Sequence, residues 1–73
     1  MEKREIFENA SYWVGCDTEN AVMLFLNYED MIRNFETYDY VAAFDYAGVK
    51  VSEAKIVFDE TNERDVYDLV FDY

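Results

Sequence analysis

Histidine and proline are absent from this chain, glycine occurs twice and cysteine once. Without histidine it lacks the commonest general base near neutral pH and the usual transition-metal ligand. The single cysteine, Cys16, permits neither an intrachain disulfide nor a zinc site built from thiolates, a usage that fits a reducing cytoplasm. Its thiol has no histidine to activate it, so Cys16 reads as a small half-buried side chain beside Trp13. Ser11 and Ser52 lack a triad context, and Gly15 and Gly48 cannot form a phosphate-cradling GxxxxGK loop. The longest apolar run, AVMLFL over 21–26, is far too short to span a bilayer, and the first twenty residues lack the apolar run of a signal peptide. The expectation is a cytoplasmic protein that is not an enzyme, holds no metal and needs no cofactor.

Cations are scarce too. Six basic residues face seventeen acidic ones, for a net charge of −11. The two signs are segregated: between Arg4 and Arg33 lie Glu5, Glu8, Asp17, Glu19, Glu29 and Asp30, and after Arg64 come Asp65, Asp68 and Asp72 with no cation. Charge of this size governs solubility, partner sign and association rate, not fold. It disfavours direct contact with nucleic acid or an anionic membrane and favours a basic partner. The loop Asp59, Glu60, Thr61, Asn62, Glu63, Asp65 offers oxygen ligands, but it lacks the glycine of a calcium-binding EF-hand loop, and Arg64 opposes a cation there.

What is abundant is aromatic and aliphatic. Hydrophobic residues make up 52% of the chain and aromatics 19%, well outside the composition of a disordered acidic segment. Seventy-three residues make one domain, 1–73, near the lower limit for a single core. A core this small leaves a homodimer or a bound partner as a source of added stability. The stretch 1–9 reads as a short helix or an extended arm. SYWVGCD reads as a strand, GCDTEN as a turn-rich stretch and NAVMLFLN as a buried strand. Tyr28, Met31, Ile32 and Phe35 recur at i, i+3, i+4, i+7, with Asn27 placed to cap a helix and Glu29 and Asp30 in its first turn.

The segment TYDYVAAFDYAG supports two readings. The alanine pair and Gly48 favour a helix capped at Thr37 and Gly48; the alternation of Tyr38, Tyr40, Ala42, Phe44 and Tyr46 favours a strand. The helix is preferred here. VKVSEAKIVFDE and DVYDLVFDY then read as strands. Together these elements predict an α+β fold, a small single domain with an antiparallel sheet of about four strands and one or two helices.

An aspartate sits between two aromatics three times, at 38–40, 44–46 and 71–73. Neighbouring side chains on regular structure cannot all face a core, so the triplets suggest carboxylates carried outward on a rigid support, beside tyrosines able to stack on arginine. The expected partner-binding set is Glu36, Asp39, Asp45, Asp65, Asp68 and Asp72 with Tyr40, Tyr46 and Tyr73; Glu2, Glu5 and Glu8 rank lower because Lys3 and Arg4 lie among them.

In size, charge, aromatic content and absence of catalytic residues, the whole chain resembles the small acidic inhibitors by which phages and mobile elements block nucleic-acid-binding defence enzymes. These are the anti-CRISPR and anti-restriction DNA mimics and the uracil-DNA glycosylase inhibitor. The likeness rests on composition and not on a motif. It implies a non-catalytic inhibitor occupying the basic groove of a host nuclease complex, in the host cytoplasm if phage-encoded. An antitoxin or immunity protein facing a basic toxin, or an acidic assembly module, draws on the same physics.

A net charge of −11 in a domain this small exceeds the magnitude of about 2–8 that suits solubility, and self-repulsion at that level opposes compaction. Raising ionic strength from low to physiological should therefore raise the melting temperature at neutral pH. A flat or falling response would mean that the six cations already neutralise the acidic surface.

Overall fold

The computed structural model describes residues 3–18, 20–59 and 64–70. Helix α1 (Lys3–Glu8) leads into β1 (Tyr12–Asp17) and β2 (Asn20–Phe25), followed by α2 (Tyr28–Arg33) and a single 3-10 turn, η1 (Phe35–Thr37). Three strands complete the order: β3 (Tyr40–Phe44), β4 (Lys50–Asp59) and β5 (Arg64–Val70). All pair antiparallel in one five-stranded sheet ordered β2-β1-β3-β4-β5. The α+β class expected from sequence is therefore present, with one strand more than the four anticipated.

The extra strand is β3, in the segment preferred as a helix from sequence. Three consecutive small or β-branched residues, Val41, Ala42 and Ala43, are buried there between β1 and β4. Residues paired across a ladder share a face, so Val41 and Ala43 join Trp13, Phe25, Ser52 and Ala54 on one side. Ala42 falls on the other side with Tyr12, Val14, Tyr40 and Phe44. A helix would scatter these contacts. Gly48 does adopt the positive φ expected of a cap, at 82°, but it closes the β3–β4 hairpin and not a helix. The strand expected at SYWVGCD forms as β1 and keeps Gly15 to Asp17, the first half of the turn-rich stretch GCDTEN, in the sheet.

The inner face carries the core. Trp13, Phe25, Val41, Ala43 and Ala54 from the sheet meet Phe7 of α1, Met31 of α2 and Phe35 of η1. The aromatics contact edge to face: Phe7 on Phe35 at 6.4 Å, Trp13 on Tyr28 at 5.6 Å and Phe25 on Tyr38 at 5.9 Å. Trp13 donates its indole N–H to the Phe7 carbonyl at 2.9 Å, fixing the end of α1 to β1. The expected helix forms with Asn27 as its cap, whose Oδ1 accepts from the Glu29 and Asp30 amides at 2.8 and 3.2 Å. Asp30 also pairs with Arg33 one turn on. Beyond Arg33 the chain tightens into η1, which seats Phe35 at 1% exposure at the end of the expected stripe.

Among the described residues no helix packs against the other face. Tyr12 stacks on Phe44 with ring centres 5.1 Å apart and planes 8° from parallel. Cys16 is buried on this face, opposite Tyr40 in the ladder and not beside Trp13 as expected. Strand β2, expected to be buried, is an edge: Val22, Met23 and Leu24 are each at least half exposed, and only Phe25 reaches the core. A single helical layer over a five-stranded sheet cannot cover both faces and both margins.

Gly15 lies directly against the Tyr38 ring. A Cβ there would lie 2.7–2.9 Å from carbons of the Tyr38 ring, closer than real contacts allow. Gly15→Ala should therefore destabilise the domain by about 1–3 kcal/mol through overpacking, read as a lowered thermal or urea midpoint. An unchanged midpoint would mean that Tyr38 moves aside at no cost.

Candidate functional site

The carboxylates set between aromatics prove to be turn holders wherever their side chains are described. Asp45 follows β3, and its Oδ1 accepts from the Ala47 and Val49 amides, both at 2.9 Å. With the Gly48 amide donating to the Asp45 carbonyl at 3.0 Å, one residue closes the hairpin. Asp39 precedes β3. Its Oδ2 accepts from the Thr18 amide at 2.6 Å, and its own amide donates to the Cys16 carbonyl at 3.0 Å and to Asp17 Oδ1 at 3.2 Å.

That network explains an unusual backbone. Thr18 has a φ of 56°, a conformation a β-branched residue rarely adopts. The short bond from Asp39 holds the strained amide in place while β1 turns into β2. The aromatics flanking these acids take different positions: Tyr38 packs on Phe25, Tyr40 and Phe44 lie half-buried on the open sheet face, and Tyr46 stands 92% exposed at the hairpin tip. Asp39 and Asp45 bracket β3, about 20 Å apart along an extended chain at roughly 3.3 Å per residue. They do not form one patch.

The remaining expected residues divide as follows. Glu36 is exposed on η1. Asp65 and Asp68 lie on β5, in register with Phe58 and Lys55. Asp72 and Tyr73 fall outside the described residues, as do Glu2 and positions 60–63 of the polar loop. Tyr40 stands opposite Cys16 with Lys50 and Glu53 nearby. Its hydroxyl is held above the usual tyrosine range, first by a hydrogen bond with the Cys16 thiol, then by partial burial and by the negative charge of Cys16 and Glu53, with Lys50 opposing. The neutral phenol is thus the favoured form in the fold, a contribution present below the ordinary tyrosine pKa and lost as pH rises through the raised one.

Among the described residues, exposed acids free of such structural bonds lie elsewhere. Glu5 and Glu8 on α1, Glu29 on α2 and Glu36 on η1 are all exposed. Among the described residues the ion pairs are Asp30–Arg33 and Lys50–Glu53, and neither involves these four. Glu5 and Glu8 stand one turn apart, about 5–6 Å between Cβ atoms. All four belong to the helical layer, so among the described residues the carboxylates without a structural bond lie on the side away from the open sheet face. Sequence reasoning ranked Glu5 and Glu8 low for their proximity to Lys3 and Arg4 and read Glu29 only as a helix-dipole residue.

Among the described residues no three potential metal ligands converge, and no helix is long and apolar enough to cross a membrane. A shallow cavity of about 350 Å³ between α1 and the β3–β4 hairpin is bordered by Ile6, Ala10, Tyr46 and Val51. The carboxylate on its wall is Asp45, already occupied by the turn. No family model, curated protein or solved structure matches this chain.

The two classes of carboxylate should separate on substitution. Asp39→Ala and Asp45→Ala should each cost about 1–2 kcal/mol of stability, since backbone amides lose a charged acceptor, while Asp→Asn at either position should keep much of it. Glu29→Gln and Glu36→Gln should stay within about 0.5 kcal/mol of wild type. Equal losses across the four positions, measured by urea denaturation, would contradict this division.

Proposed function

We propose that this protein is a non-catalytic inhibitor that binds a basic, nucleic-acid-binding partner and blocks its groove, presenting carboxylates in place of phosphates. The observation that carries the reading is the exposed set Glu5, Glu8, Glu29 and Glu36, held on the helical layer and unused by the ion pairs described. Short helical elements packed on a sheet hold such charges in fixed places, so a partner's arginines and lysines meet an ordered surface. A nuclease of a defence system is the partner type that the resemblance in size and composition implies.

Two physical consequences support the choice. A net charge of −11 steers a basic partner to the surface and gives an on-rate that falls steeply with salt. It also repels nucleic acid itself, so the protein competes with the nucleic acid and does not join it. Tyr46 at the hairpin tip supplies an exposed aromatic of the kind enriched at binding hot spots.

Affinity capture from a lysate of the source cell, eluted in steps of salt and separately with double-stranded DNA, tests the proposal. The captured protein should be basic, released by DNA, and inhibited in its nucleic-acid binding up to a fixed molar ratio. A variant with Glu5, Glu8, Glu29 and Glu36 all changed to Gln should bind it at least about ten-fold more weakly, mostly through on-rate, with an unchanged melting curve. A captured protein that DNA does not displace and that binds this variant as tightly as wild type would overturn the proposal.

A further inference from the structure

Strand β2 lies at the margin of the sheet, with one side of its backbone ladder against β1 and the other unpaired. Its exposed residues are apolar: Val22 at 53%, Met23 at 50%, Leu24 at 55% and, just after it, Leu26 at 75%. From Asn20 to Asn27 there is no charged residue, in a chain that is otherwise a third charged. Natural edge strands are usually guarded by lysine, proline or inward charges. Here the only guard is a bulge, where Val22 is the extra residue between the Gly15–Met23 and Cys16–Ala21 pairs. The regular stretch beyond it, Met23 to Phe25, is left open.

We infer that β2 is a self-association edge, on which a second copy pairs its own β2 antiparallel to make one continuous ten-stranded sheet from two of five. The occupant follows from charge. An uncharged edge gains nothing from a basic or acidic strand, whose charges would lose hydration against Val22, Met23 and Leu24. The opposite edge of this same sheet, β5, carries Arg64, Asp65 and Asp68. Head-to-tail pairing of β2 with β5 would set those charges against the apolar edge, so a closed two-fold pair is favoured over an open fibre.

Symmetry then sets the register. A two-fold axis perpendicular to the sheet keeps both helical layers on one side, and paired residues must share a face. The axis therefore passes through a residue pair, and centring it on the regular stretch Met23 to Phe25 makes Leu24 meet its own symmetry mate and Met23 meet Phe25. Leu24 shares the open face with Val14, its partner in β1, so the apolar faces of the two copies become continuous. The acidic helical layers repel each other, but beyond a Debye length of about 8–10 Å that repulsion is screened. Dimerisation should thus tighten with salt, the opposite of binding to a basic partner.

Sedimentation equilibrium at about 100 μM, well above the micromolar range of a weak standard interface, should give twice the chain mass of 8.7 kDa, with tighter association at higher salt. Leu24→Lys should weaken association at least about ten-fold by placing like charges across the axis, while retaining the far-ultraviolet circular dichroism of wild type. In a Cys16→Ser background, Leu24→Cys should form an interchain disulfide on mild oxidation, because directly opposed strand residues lie within disulfide range. Val14→Cys, one strand further in, should not. The inference is overturned by a wild-type monomer at both salts, whether or not it captures a foreign apolar strand. It is equally overturned by a dimer that survives Leu24→Lys and gives no Leu24→Cys cross-link. The fate of the basic-partner reading is separate, since that surface lies on the helical layer and is probed by the glutamine variant.

Discussion

Trp13 is the residue through which the two layers are joined. It sits in β1 between Phe25 of β2 and Ala43 of β3, packs edge to face on Tyr28 of α2 and donates its indole proton to the carbonyl of Phe7 in α1. One residue thus ties its own strand to four other elements of the chain. In a domain this small, where buried area barely offsets chain entropy, the large apolar surface of a tryptophan with a satisfied N–H is difficult to replace. The helices can be only six residues long because their stability comes from this packing and not from helix propensity.

A second constraint follows from having one helical layer. The inner face of the sheet is covered and the outer face is not, so the chain places Tyr12, Phe44 and Tyr40 there, side chains that shelter one another and the small residues among them. Charge is sorted by the same geometry. Among the described residues, acids with no structural bond lie on the helical layer, while β2 carries no charged residue. The surface is therefore divided between an anionic side and an apolar edge, and the two favour partners of different chemistry and opposite salt dependence.

The recurring aspartate between aromatics illustrates how a carboxylate on the surface can also hold structure. On sequence alone, Asp39 and Asp45 look like displayed charge. In the fold each accepts backbone N–H groups at one end of β3, and Asp39 steadies the left-handed Thr18. A tight turn leaves backbone N–H groups without ladder partners, and a short acidic side chain next to it is well placed to accept from them. Among the described residues, the acids without such bonds are those on helical segments, as on α2, where Asn27 caps the first amides.

Periodicity alone determined the α2 stripe of Tyr28, Met31, Ile32 and Phe35, its Asn27 cap, and four of the strands, because those signals are local and each residue's role follows from its neighbours in sequence. Composition likewise determined that the chain could build a core and that its surface would be anionic. The strand at Tyr40–Phe44 was decided by tertiary structure: two adjacent alanines suit a helix by propensity, yet a central strand flanked by β1 and β4 requires small side chains on both faces. The exposure of β2 was decided the same way. AVMLFL reads as a core strand, and whether such a run lies in the middle or at the margin depends on strand order, which β3 sets by inserting between β1 and β4. Strand order is a property of long-range pairing, and no local pattern encodes it.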